Sequence, residues 1–222
     1  MRSTYQRLFV SALFALAMAY LEATIVVYLR ELYYPDGFHF PFVRIPDFIL
    51  YTEIGREVAT IVMLWAIAYL IAINARLTFA YFCFNFGIWD IGYYIWLKVL
   101  LNWPATLLDW DVLFLIPLPW IGPVLAPVIV SCALIFAALC IIKYDNLRLK
   151  IIDWMLEVFA GILIILSFLS QSDRISQSES PENYPWWLFT LALILGLAVF
   201  INRLRQMLKG DYSSSNDRKN IL

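Results

Sequence analysis

Long, nearly unbroken apolar runs alternate with short polar links along this chain. Six runs stand out, over 8–29, 51–73, 77–99, 120–142, 151–170 and 186–201. Each is roughly 20 residues long, the length a helix needs to cross the hydrocarbon core. A β-barrel would show ~10-residue segments of alternating polarity instead. The pattern therefore predicts an all-α, polytopic membrane bundle of six spans, one transmembrane domain over 1–208. The polar stretch 209–222 reads as a disordered tail.

The first run resembles a signal peptide at its start. Arg2 and Arg7 supply a positive head, and Ala17-Met18-Ala19 looks like a cleavage site. The apolar run continues to residue 29, which favours an uncleaved helix. Within it Ser11, Ala15, Ala19 and Ala23 recur every four residues, a ridge that lets a neighbouring helix approach closely. The ridge suits packing inside the bundle, with a dimer interface as the alternative.

Composition agrees with the pattern. Of the residues 63% are hydrophobic and 15% charged, and mean hydropathy is +0.76. A soluble domain of this size could not hide so much apolar surface. The net charge of −1 gives no field for a polyanion, so nucleic acid is not an expected partner. The expected surroundings are the lipid bilayer and other membrane subunits.

Basic residues set the orientation. With the N-terminus inside, eleven of the sixteen fall in inside segments and four outside, while Arg56 lies within the second run. Both termini are thus expected in the cytoplasm, and the chain in a prokaryotic inner (plasma) membrane. Trp96, Trp103, Trp110, Trp120, Trp186 and Trp187 cluster near the outer boundary, as an aromatic belt should. Between the third and fourth runs, Asp109 and Asp111 are expected to cap a short interfacial helix that Pro117 and Pro119 end. Pro127 is expected to kink the fourth helix.

Ionisable residues inside a span are costly and default to functional candidates. Counted at about 1.5 Å per residue, Glu22, Arg56, Glu57 and Asp90 come to similar depths in the outer leaflet, with Glu53 at the interface above them. Two readings follow. One is a pocket for a proton or a hard divalent cation, since the ligands are oxygens only. The other is a structural ion network in which Arg56 clamps two of the acids. A second acidic pair, Asp153 and Glu157, lies at the cytoplasmic start of the fifth run. Glu157 needs a partner there; a proton path from it through Asn85 to the outer cluster is disfavoured, because 161–166 of the fifth run offers no relay group.

Other chemistry finds little support. His39 is the single histidine, which rules out bis-histidine haem ligation and a His-rich metal centre. Cys83, Cys132 and Cys140 lack the spacing of a zinc or redox pair and read as buried apolar residues. No glycine-rich phosphate loop is present. No cofactor is evident beyond the possible divalent cation. The expected role is an accessory or structural subunit of a membrane complex, with cation or proton transport as the alternative. A membrane enzyme acting on a lipid or quinone comes third.

Overall fold

The computed structural model describes residues 3–219 except Phe42, Arg44 and Pro117, with side chains described as far as Gly210. Arg2 and Arg44 of the orientation count, and Pro117 of the expected helix stop, lie outside the described residues. The chain is mostly helical: α1 Thr4–Tyr33, α2 Asp47–Ile71, α3 Ala75–Leu101, α4 Leu125–Lys143, α5 Ile151–Leu169, short α6 Ser172–Ser176 and α7 Trp186–Lys219.

Five of these, α1, α2, α4, α5 and α7, are long and apolar enough to cross a membrane. In each, less than a third of the most apolar stretch is buried against the rest of the chain. The remaining apolar surface needs a nonaqueous solvent, which the bilayer supplies. The sequence pattern counts α3 as a sixth span. With 27 residues it is about 40 Å long, enough to cross. It is less apolar because it carries Asn85, Asp90 and four tyrosine or glycine positions between 87 and 94. Its place accounts for this: α1, α2 and α4 all pack on it, so protein rather than lipid surrounds its polar groups.

Close contacts give the helix directions. Ser11 of α1 donates to Asn85 of α3, and a Cβ at Gly92 would lie 2.9 Å from that of Ala19, so α1 and α3 run parallel. Ser11, Ala15, Ala19 and Ala23 are all buried, and Ala19 and Ser11 meet α3 directly. The small-residue ridge therefore packs inside the bundle. At the start of α3, Arg76 donates to the carbonyls of Ile141 (2.9 Å) and Tyr144 (3.1 Å) at the end of α4, so α4 is antiparallel to α3. Arg203 of α7 pairs with Asp153 at the start of α5 at 2.6 Å, which makes α5 and α7 antiparallel. Two packed groups result: α1–α2–α3–α4, and the α5–α7 pair.

The link between α3 and α4 departs from the expected interfacial helix. Residues Trp110–Phe114 (β1) and Trp120–Pro123 (β2) form an antiparallel hairpin, pairing Asp111 with Gly122 and Val112 with Ile121. Trp110, Val112, Leu113 and Phe114 are β-branched, aromatic or aliphatic residues bounded by prolines and a turn, a short apolar run that suits a strand. Asp109 does cap a turn, accepting from Ala105 N–H (2.7 Å) and the Thr106 hydroxyl (2.8 Å). The fourth helix therefore starts at Leu125, not at 120. Pro127 falls in its first turn, where a missing N–H has no intrahelical acceptor to lose, and the expected kink is not required.

The last helix is drawn through to Lys219, past the expected span end at 201 and into the stretch read as a tail. The cysteines are unpaired, and Cys132 is exposed on α4 rather than buried. His39 is exposed in the loop after α1.

Candidate functional site

The acidic residues singled out by depth separate into two sites. The first lies between α1 and α2 under the hairpin. Arg56 donates through Nη1 to Glu22 of α1 and through Nε to Glu53 at 2.8 Å, one turn away on its own helix. Thr60, one turn below on α2, places its hydroxyl 3.3 Å from the other Glu22 oxygen. Glu57 turns to the hairpin instead, where both carboxylate oxygens take the Leu115 N–H, at 3.0 and 3.1 Å. That N–H follows the last paired residue of β1, so Glu57 finishes the hydrogen bonding of a strand end.

Every charged group of this site thus has a partner from the chain. Arg56 clamps two acids, Glu22 and Glu53. Among the described residues no group of three or more His, Cys, Asp or Glu side chains is arranged to hold a metal ion.

Sequence reasoning missed a neighbouring pair. Arg30, one of the four basic residues counted outside, is buried near the end of α1 and lies 3.4 Å from Asp111 on the hairpin. Its guanidinium sits between the rings of Phe38 (4.5 Å) and Trp103 (3.9 Å). Asp111 is 3% exposed, and burial raises its pKa to about 6 although Arg30 pulls it down. A small cavity of about 110 Å³ separates Arg30 and Asp111 from Glu53, Arg56 and Glu57. The available signal was weak: Asp111 is the single polar residue in the short apolar run Trp110–Phe114.

The second site is larger and lies between the two helix groups. A cavity of about 350 Å³ is bounded by α3 and α4 on one side and by α5 and α7 on the other. Its wall is overwhelmingly apolar. The hairpin contributes Phe114 and Trp120, and the rings of Trp120 and Phe168 stack at 6.2 Å. A Cβ at Gly122 would touch Phe168 at 3.0 Å, so that glycine lets the end of α5 close against the hairpin.

Two carboxylates reach this wall, Asp90 from α3 and Glu157 from α5. Asp90 is 8% exposed and accepts from the Ser131 hydroxyl of α4 at 2.8 Å. Gly87 makes that approach possible: a Cβ there would lie 2.7 Å from the Ser131 carbonyl oxygen. Glu157 stands over Gly196 of α7, where a Cβ would lie 3.1 Å from its Oε2. Its Oε1 is buried and has no hydrogen-bond partner among the described residues. Asp153, four residues earlier, is taken up by Arg203 and by the Lys150 N–H at 2.7 Å.

Asp90 accordingly does not join the Arg56 cluster; it shares a cavity with Glu157, which the sequence placed in a separate pair. Asn85 is bonded to Ser11 and is not part of the cavity wall, so a relay through it has no geometric support. Ser131, Trp120 and Gly196 complete the site and carry no sequence signal on their own. Comparison with protein-family models, with curated proteins and with solved structures finds no match.

Proposed function

We propose that this chain is a multi-pass membrane protein that binds a single-chain amphiphile in the cavity between α3–α4 and α5–α7. The observation that carries the reading is an apolar cavity of about 350 Å³ with two carboxylates on its wall. Ligand sites have this character: a volume of roughly 300–1,000 Å³, apolar walls and a few convergent polar groups. In a bilayer the abundant molecules with a matching shape are amphiphiles. Six spans with both termini cytoplasmic fit the proposal, because the starts of α1, α3 and α5 then share the inner face with the end of α7.

The outer Arg56 network is structural in this account. Its carboxylates are occupied by Arg56, Thr60 and the Leu115 N–H, which leaves cation or proton transport through it without support. We prefer amphiphile binding to the accessory-subunit role expected from composition because the cavity has the volume and apolar wall of a ligand site.

Thermal unfolding in mild detergent tests the reading, with 1-dodecanol as the probe. A ligand bound by the native state raises apparent stability with concentration. The wild type is expected to gain stability as the alcohol is added. Ala137→Phe, which fills the cavity from α4, is expected to gain none. Equal responses of the two proteins refute the proposal.

A further inference from the structure

The charges on the cavity wall are all of one sign. Asp90 and Glu157 are acidic, and among the described residues no Lys, Arg or His lines the cavity. The basic side chain two turns from Gly196 on α7, Arg203, is held by Asp153 at 2.6 Å and by Gln206 at 3.0 Å. Asp90 is partly satisfied by Ser131. Glu157 is not: its Oε1 is buried without a hydrogen bond. A carboxylate at this depth of an apolar helix is costly without a partner, and among the described residues none bonds its Oε1.

The two acids also stand at different levels. The starts of α3 and α5 lie on the same side, since each adjoins the end of α4. Asp90 is then about 22 Å along α3 and Glu157 about 9 Å along α5, at about 1.5 Å per residue. Apolar side chains such as Ile164, Leu193 and Leu197 line the wall with them. A molecule with one polar end at Glu157 and a hydrocarbon body directed toward the Phe114–Trp120 roof matches that layout.

Building on the amphiphile reading above, we infer that the occupant is cationic, an amphiphile with a protonated amine or quaternary ammonium head whose counter-ion is Glu157. Gly196 belongs to this site. A side chain there would press on the carboxylate, and its absence keeps Glu157 free to meet the head group. An ammonium against Glu157 satisfies the acceptor that the fold leaves empty and neutralises a charge otherwise isolated in the apolar layer.

The test compares three amphiphiles of equal chain length: dodecylamine, 1-dodecanol and dodecanoate. Saturable binding of the radiolabelled compounds is measured on the full chain in nanodiscs of zwitterionic lipid, with protein-free discs as the blank. The amine is expected to bind at least about tenfold more tightly than the alcohol, and the anion more weakly than either. Glu157→Gln is expected to erase the preference for the amine and to retain alcohol binding. Glu157→Asp keeps the charge and is expected to keep a preference. Because that variant and the alcohol signal both report a folded cavity, loss of fold in Glu157→Gln cannot imitate the result.

Equal binding of amine and alcohol by the wild type overturns the inference and leaves the amphiphile reading standing. So does an amine preference that survives in Glu157→Gln. Absence of saturable binding by all three compounds overturns both.

Discussion

Replacing Arg56 by methionine isolates the outer network. The substitution keeps the length of the stem and removes the cation. Glu22 and Glu53, 8% and 7% exposed, then face each other without a counter-charge, with Glu57 beside them on α2. Removing one partner of a buried ion pair costs about 3–5 kcal/mol, because the charge left behind has lost both water and partner. For a chain of this size each kcal/mol moves the midpoint by about 2–4 °C, so the fall should be about 6–20 °C. Thermal unfolding in mild detergent, followed by intrinsic fluorescence, reads this directly. The triple variant Arg56→Met, Glu22→Gln, Glu53→Gln removes the stranded charges with the cation and should recover most of the loss. A fall below about 2 °C in the single variant, or a triple variant as unstable as the single, would refute the structural assignment.

Three further outcomes follow from the same geometry. Gly87→Ala should destabilise by about 1–3 kcal/mol, since its Cβ would lie 2.7 Å from the Ser131 carbonyl oxygen on the facing backbone of α4; chemical denaturation in detergent measures it. Gly196→Ala presses on the end of the flexible Glu157 side chain and meets Ala160 Cβ at an ordinary 3.6 Å, so it should leave stability unchanged or raise it by up to about 1 kcal/mol, while weakening dodecylamine binding in the nanodisc assay. Asp111 has a folded pKa of about 6, above the ordinary 3.8. Its protonated form favours the fold below about pH 4, and that contribution is lost as pH rises through about 6. The unfolding midpoint of the wild type should thus fall across pH 4–7 relative to Asp111→Asn, and parallel pH profiles would exclude the effect.

The helices were readable because a bilayer demands long apolar runs, and five of the runs recur as helices apolar enough to span. The network around Arg56 was readable in part. Depth counting brings Glu22, Arg56 and Glu57 to one level; Glu22 and Arg56 do meet across the α1–α2 contact, while Glu57 turns to the hairpin. The same counting misplaced Asp90, because depth carries no information about rotation around a helix. Asp90 points away from α1 and toward α4, where Gly87 and Ser131 receive it. Glu157 shows the same limit: its neighbour in the cavity comes from α3, 67 positions earlier in the chain. The hairpin was hidden for another reason. Its strands have only five and four residues and lie among prolines and tryptophans, too short to show a period of two, and the capping aspartates and the apolar run after 120 pointed to helix.

Photolabelling tests the central claim, a bound amphiphile between α3–α4 and α5–α7, most directly. The probe is a single-chain alcohol with a diazirine at mid-chain, irradiated with the full chain in nanodiscs and mapped by peptide mass spectrometry. The account predicts saturable labelling at cavity residues such as Ala133, Ile164 and Leu193, suppressed by excess 1-dodecanol and absent in Ala137→Phe. Labelling confined to the lipid-facing sides of the helices, not suppressed by competitor and unchanged in that variant, would contradict it.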